Sequence, residues 1–367
     1  MLPYNWQQKG WPHFTWDEGN IEEELYRFLD KAGRVSGMYA AFPPDVRQEA
    51  LIGLVVSEAM KTSSIEGEFL SREDVISSVR KNLGILPLTE TKDKRVQGIS
   101  TLMLDVRNTF KDPLSEETLL KWHSLLFTHL KSDETGHWRS HPEPMQVISG
   151  AFGNIKVHFE APPSSAVPAE MCQFIKWFND TAPGAKSEIN KAPVRSAVAH
   201  LYFESIHPFS DGNGRIGRAI AEKALSQGLD RPVLLSLSKA IDRDKKSYYS
   251  ALEKAQHSLE LTPWIHYFTK TILAAQTDAE NEIDFTLQKV RFFDLFRNRL
   301  NNRQMKAVSR MWEEGPGGFQ GGMNARKYKG LCGVSKATAT RDLQYLAEIE
   351  ALAVTGKGRN TSYHLAL

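Results

Sequence analysis

The side chains of this 367-residue chain best able to do chemistry together lie in one run, Ile206-His207-Pro208-Phe209-Ser210-Asp211-Gly212-Asn213-Gly214-Arg215-Ile216-Gly217-Arg218. Gly212 and Gly214 remove side chains where a ligand would approach the backbone. Free N–H groups at a helix start, together with the helix dipole, make such a loop an anion site. Arg215 and Arg218 stand three apart on one helix face, so two guanidinium forks can meet successive phosphates of a polyphosphate. Asp211 beside them has the hard oxygens that Mg²⁺ shares with phosphate. His207 at the loop entrance can take a proton from an attacking hydroxyl. Asn213 can hold a phosphate oxygen through its amide.

A solvated turn that caps a helix would use the same Gly, Asn and Asp residues. The spacing of His207, Phe209, Arg215 and Arg218 points beyond that. Gly212 to Gly217 also satisfies the dinucleotide-binding pattern G-x-G-x-x-G, which requires a strand before it and a βαβ unit around it. Neither is present in the pattern.

The elements that must hold this loop read as helices. Val194 to Ile206 has Val198, Leu201, Tyr202 and Ser205 at spacings of three and four. Ile216 to Gln227 is helical again, with Gly228 as the expected residue just past its end. Upstream, Ile21 to Val35 and Pro44 to Met60 predict two further helices. Residues 155–160 alternate strictly, and with Gln146-Val147-Ile148 and a turn at Gly150, Gly153 and Asn154 they predict a β-hairpin over 146–160. Pro162-Pro163 closes it.

These residues resemble the signature of the Fic family, H-x-F-x-[DE]-G-N-G-R-x-x-R, at every defined position. The resemblance extends to Gly136-x-Trp138-Arg139 before the hairpin, to Pro162-Pro163 and to Tyr248-Tyr249, and covers roughly residues 90–275. It implies a mainly α fold: a helical bundle with a β-hairpin flap. It implies protein adenylyltransfer, in which AMP moves from ATP to a Ser, Thr or Tyr hydroxyl. His207 would be the general base, Asp211 the Mg²⁺ ligand and Phe209 a hydrophobic anchor under the loop. Ser210 lies in the ATP-binding run, Gly212, Asn213 and Gly214 would form the anion nest, and Arg215 and Arg218 would hold the β- and γ-phosphates. Tyr248 and Tyr249 would line an adenine pocket, and the flap would clamp the target by strand addition. Gly214-Arg215 matches the adenylylating form rather than the lysine variant that phosphorylates. Thr62-Ser63-Ser64-Ile65-Glu66-Gly67 resembles the family's inhibitory motif, in which Glu66 would pair with Arg218. Thr62, Glu66 and Gly67 are its defined positions. Trp6, Trp11 and Trp16 resemble the N-terminal domain of some bacterial members.

In the last segment, Gly333 to Leu343 and Leu346 look like the turn and recognition helix of a winged helix, with Ser335 as N-cap. Thr355 to Asn360 would be its wing tip. Arg341 would then reach the DNA groove and Lys357 and Arg359 the phosphates. Residues 301–367 hold ten Lys/Arg against five Asp/Glu.

The expected organisation is an N-terminal helical domain (1–90), a catalytic core (91–275), a connecting helix (276–300) and a winged helix-turn-helix (301–367). A net charge of +2 does not argue for a nucleic-acid coat or a membrane-surface protein. Cys172 and Cys332 are too few and too far apart for a disulfide framework, which suits a reducing cytoplasm. The longest apolar stretch, Ala50 to Val56, is far short of the ~20 residues of a membrane span, and the first residues lack a signal-peptide pattern. The expected partners are ATP, a target protein on the flap, the chain itself through self-modification and as a homodimer, and DNA through the last segment. Two alternatives stay open. The same site could remove AMP, with Glu66 positioning water, or the chain could be a DNA-binding regulator that senses nucleotide.

Overall fold

The computed structural model describes residues 3–17, 19–85, 91–130, 134–149, 156–315 and 318–366. Its elements are overwhelmingly helical. In chain order they begin with α1 (Glu22–Ala40), α2 (Pro44–Ile65), α3 (Arg72–Asn82), α4 (Lys94–Asn108) and α5 (Glu116–Leu126). Next come the hairpin β1 (Gln146–Ser149) and β2 (Lys156–Glu160), then α6 (Val167–Asp180), α7 (Ala192–Ile206) and α8 (Asn213–Gly228). They continue with α9 (Leu237–Arg243), α10 (Lys245–Ala255), α11 (Thr262–Phe296), α12 (Asn302–Trp312), α13 (Ala325–Cys332) and α14 (Lys336–Glu348). A second hairpin, β3 (Leu352–Thr355) and β4 (Ser362–Leu365), ends the order. No helix of the described residues is long and apolar enough to cross a membrane.

The chain forms two compact units, Met1–Ser36 with Leu51–Ala279, and Gly37–Ala50 with Glu280–Leu367. The division falls near residue 280, inside α11, ahead of the boundary expected near 300. The physical reason is a row of aromatic side chains. Phe292 is buried, and Phe285, Phe293 and Phe296 pack beside it, against Val308, Met311, Trp312, Leu343 and Leu346. The expected connecting helix at 276–300 is the C-terminal part of the single long α11, followed by one 3-10 turn at Arg297–Arg299.

In the first unit, α7 and α8 pack closely on each other. Every residue of α7 is buried, as expected of a helix that is apolar nearly all round. Arg195 and His200 on it are paired, whereas the buried Tyr202 hydroxyl has no hydrogen-bond partner. The Arg195 Nη2 donates to the Phe178 carbonyl at 2.7 Å, and His200 Nε2 lies 2.7 Å from the Tyr248 hydroxyl. Gly228 departs from expectation: it is the last residue of α8 and not a left-handed cap. A Cβ there would meet the Ala192 Cβ at 2.4 Å, so the glycine serves the close crossing of α7 and α8.

The N-terminal arm is stitched onto this pair. Asn5 Nδ2 donates to Ser205 Oγ at 2.8 Å, and Trp6 Nε1 to the Glu160 carbonyl at 2.7 Å. The Trp11 ring stands edge-on to Tyr202 at 5.1 Å, and its Nε1 donates to Glu170 at 2.8 Å. The turn expected at Gly150, Gly153 and Asn154 lies outside the described residues, as does Ile155. The strands pair antiparallel, with a register shift between Val147 and Ile148.

In the second unit, α12, α13 and α14 are followed by the β3–β4 hairpin, and Met323 bridges Tyr363. Gly333 turns left-handed at φ 67° to end α13, and Ser335 Oγ caps α14 by accepting from the Thr338 N–H at 3.1 Å. The buried Asp342 accepts from the Tyr328 hydroxyl at 2.9 Å and from Arg303 Nε at 3.1 Å.

Candidate active site

Helix α7 must end abruptly where the chemistry begins. His207 takes a left-handed conformation (φ 50°, ψ 59°), and Pro208 cannot continue the helix. The loop to α8 is then locked from both sides. Asn213 Oδ1 accepts from the Phe209 N–H at 3.0 Å, and its Nδ2 donates to the Phe209 carbonyl at 2.8 Å. The Asn213 side chain therefore braces the loop itself. Its second Nδ2 hydrogen takes no part in these two bonds. Gly212 stands at φ 84°, and a Cβ there would press the Phe127 ring at 2.9 Å.

Phe209 is fully buried and stacks flat on His123, with centroids 4.1 Å apart and Trp138 alongside at 4.8 Å. It packs beneath the loop on these two rings. Arg139 holds the loop from below. Its Nε donates to the His207 carbonyl at 2.8 Å, and its Nη2 to the carbonyls of Pro162 at 2.6 Å and Ile206 at 3.3 Å. Nη1 reaches Ser164 Oγ at 2.9 Å. One buried guanidinium thus ties the start of the 207–213 loop to the segment that follows the β1–β2 hairpin. Arg139→Leu would strand several buried carbonyls, and we expect a loss of roughly 2–4 kcal/mol in stability. A denaturant midpoint that does not move at constant slope would show that the clamp contributes nothing.

His207 is nearly enclosed. Desolvation, with the nearby Arg139 charge, lowers its imidazole to about 4, so the ring is neutral at neutral pH. Its Nδ1 lies 3.7 Å from Glu204 Oε2. Burial raises the Glu204 carboxyl to about 8, against the pull of Arg218. His123, buried behind the loop, is lowered to about 4 by desolvation.

The two arginines on the first two turns of α8 are both taken. Arg218, with 1% of its side chain exposed, donates from Nε to Thr62 Oγ1 at 2.9 Å. Its Nη2 donates to the Thr62 carbonyl at 3.0 Å and to Glu66 Oε1 at 2.8 Å. Burial alone would lower this guanidinium, but the charge and hydrogen bond of Glu66 together with Tyr248 and Glu204 hold it above its usual value. Arg215, 3% exposed, donates from Nη1 to Glu68 Oε1 at 3.0 Å, lies 3.6 Å from Asp211 and sits over the Phe127 ring. Glu66 follows the last residue of α2, a helix that runs five residues beyond Met60. Its polar final turn hides this in the sequence, because Thr62 and Ser63 are buried.

Gly67 at φ 83° makes a Schellman ending: the Glu68 N–H donates to the Ser63 carbonyl and the Gly67 N–H to that of Ser64. Lys245 Nζ takes the Ser64 carbonyl at 2.9 Å, and Asp242 pairs Lys61 at 2.7 Å and Lys245 at 3.0 Å, fixing the turn to α9 and α10. The Glu66 carboxylate lies where a Cβ on Gly214 would be, 2.3 Å from it.

A cavity of about 570 Å³ opens over the loop. His207, Ser210, Asp211, Gly212, Asn213, Gly214 and Arg218 line one side, Tyr248 and Tyr249 another, and Val147, Ile148, His158 and Phe159 of the hairpin a third. Glu66 and Glu204 also face it, whereas Arg215 is not among the residues that line it. Tyr248 is buried with its hydroxyl at His200; Tyr249 is half-exposed. Asp211, 70% exposed, spends Oδ1 on the Gly212 N–H at 2.5 Å. The described residues hold no cluster of three metal-ligating groups, so a cation here would depend on phosphate and water for its other ligands. Glu68, His123 and Phe127 were not singled out in the sequence. Glu68 follows the motif as an ordinary surface acid, and the two aromatic residues act only through packing from another helix.

A family model described as Fic/DOC family matches residues 113–225, and one described as a domain of unknown function (DUF4172) matches residues 4–85. The chain is 26% identical over 160 residues to the protein adenylyltransferase fic-1 of Caenorhabditis elegans, covering 43% of this chain and 27% of that protein. It is 23% identical over 212 residues to the protein adenylyltransferase Fic of Nematostella vectensis, covering 57% of this chain and 45% of that protein. The chain thus spans less than half the length of these relatives. Its fold is similar to the crystal structure of a Fic family protein from Desulfovibrio desulfuricans, with a TM-score of 0.53 at 21% identity, covering 96% of this chain and 98% of that one.

Proposed function

Residues 113–225 are a Fic/DOC-family domain, and from that premise we propose that the chain transfers AMP from ATP to a protein hydroxyl and is held back by Glu66. The observation that carries this is the loop of His207 to Arg218. A neutral imidazole and the buried Arg218 guanidinium line one cavity, Arg215 follows on the same helix without lining it, and a carboxylate engages each guanidinium. His207 takes the proton of the attacking hydroxyl. The N–H groups of the nest and the two arginines receive the charge that grows on the phosphates as pyrophosphate leaves. Mg²⁺, held by Asp211 and the phosphates, would neutralise part of that charge. Tyr248 and Tyr249 supply an aromatic wall for the base.

The flap presents Ile148 and Val157 to solvent on a sheet of only two strands, so its unpaired edges suit an extended target segment. A second copy of the chain can supply that segment. The experiment is incubation with α-labelled ATP and Mg²⁺. Covalent label on protein supports transfer. Absence of label from the wild type and from a Glu66→Gly variant removes the proposal.

A second, separate reading concerns the second unit. Lys336, Thr340, Arg341 and Gln344 form an open face along α14, ahead of the β3–β4 hairpin with Lys357. This supports a winged-helix role in DNA contact. The double substitution Arg341→Ala, Lys357→Ala should leave transfer unchanged and flatten the salt dependence of DNA affinity by about two charges' worth of slope. A wild type without salt-dependent DNA binding would make this unit a protein-interaction module.

A further inference from the structure

Residues 4–7 make a single 3-10 turn at Asn5–Gln7, too short to hold itself in place. What fixes it is distant in sequence. Asn5 is fully buried and its amide is in use at both ends. Its Nδ2 donates to Ser205 Oγ at 2.8 Å, and its Oδ1 accepts from the Trp6 N–H at 2.8 Å. Its backbone N–H donates to the Gln256 carbonyl at 2.7 Å. Ser205 stands two residues before His207 on the last turn of α7. Gln256 lines the cavity, and its Nε2 donates to the Glu204 carbonyl at 3.3 Å.

The same turn seats the hairpin. Tyr4 stands edge-on to Phe159 at 5.0 Å and stacks on His257 at 4.8 Å. Tyr4, Phe159 and Ala161 form a small buried cluster, with Trp6, Met145 and Val147 packed against it. This cluster is separate from the two large cores of the unit, so the apolar face of the hairpin rests on the arm rather than on the helices. The hydrogen bonds point the same way. The Ala161 N–H donates across the hairpin to the Met145 carbonyl at 2.9 Å, so the carbonyl of the same peptide, that of Glu160, faces the outer edge of β2. Trp6 Nε1 takes it at 2.7 Å. The Glu160 N–H, on that same edge, pulls on the buried Tyr4 phenol. Two side chains of the arm thus stand where a further strand would begin. The arm touches three walls of the cavity without lining it: the hairpin, the end of α10 and the turn that carries His207.

We propose that Tyr4, Asn5 and Trp6 are positioning residues that set the base of the hairpin over the loop, so that the arm governs how well a protein segment docks beside His207 and takes little part in holding nucleotide. The inference rests on the reading of the hairpin as the docking edge for the target. It gives the arm a role in target docking, separate from the hold of Glu66 on Arg218.

The test uses the Glu66→Gly enzyme, α-labelled ATP with Mg²⁺, and a size-tagged His207→Ala chain as the varied acceptor. Adding Y4A or W6A should raise KM for the acceptor about tenfold or more, with kcat within about threefold, as when docking alone is weakened. ATP affinity, read by calorimetry, should stay within about twofold. Tyr4→Phe keeps the ring on Phe159 and His257 and should return KM to within about threefold of the parent. A merely structural role would lower melting and ATP affinity together, or leave Tyr4→Phe as poor as Tyr4→Ala; either result overturns the assignment. An acceptor KM that moves in neither Y4A nor W6A overturns it too, with the transferase reading intact. If the Glu66→Gly parent labels nothing, that reading fails and the inference falls with it.

Discussion

His207→Ala is expected to lower AMP transfer by about 10²–10⁴-fold, the usual contribution of a positioned base, while nucleotide affinity stays within about twofold of the wild type. The imidazole is the neutral titratable group at the loop entrance, whereas the phosphate contacts lie downstream, on the nest and on α8. Burial and Arg139 lower the ring to about 4. A base works only when deprotonated, so transfer should be flat across neutral pH and fall only as the pH drops toward that value. Bound polyphosphate adds negative charge beside the ring and favours the imidazolium. The acid limb of kcat should therefore lie above that of kcat/KM. Calorimetry with a pH-resolved transfer assay checks both halves. Full activity in the alanine variant would remove His207 from the reaction.

Glu66→Gly is expected to raise self-modification by about 10²-fold or more. Arg218 can serve a protein carboxylate or a nucleotide phosphate, and it now serves Glu66 from a site with 1% exposure. Such a pair exceeds the ~0–1 kcal/mol typical of exposed ion pairs, since the guanidinium has no water to turn to. Freeing it lets the nucleotide seat its last phosphate. A reacting centre corrected by ~1 Å can recover on the order of 10² in rate. The double variant Glu66→Gly, Arg218→Ala should lose the gain, which distinguishes release of Arg218 from a loosened α2. Equal rates for Glu66→Gly and the wild type at saturating Mg-ATP would reduce Thr62 to Gly67 to a helix ending.

The loop was legible because its constraints are local: glycines at a turn, arginines three apart, a proline after the histidine. Its flanking helices were legible from apolar spacing. What escaped the reading depends on residues distant in sequence. Arg139 entered only through a resemblance, and nothing near it reveals that it gathers carbonyls from positions 162, 206 and 207. Asn213 has the right chemistry for a phosphate, but its spacing does not reveal that both of its amide atoms also brace the backbone of Phe209, four residues away. Thr62 and Ser63 look like the solvated end of a helix until Arg218 is placed against Thr62. Glu68 carries no sequence signal at all. Its meaning comes from the left-handed Gly67 before it and from an arginine 147 positions later.

The order in which the chain is made gives the clasp a further property. Thr62 and Arg218 are 156 positions apart. At roughly 5–20 residues per second, Glu66 and Glu68 leave the ribosome on the order of ten seconds before the arginines they hold. Residues of the arm such as Asn5, whose partner Ser205 lies 200 positions on, emerge earlier still. The loop is thus born into a chain that already contains the carboxylates its arginines pair with. Synthesis therefore has no interval in which the loop exists and the two carboxylates do not.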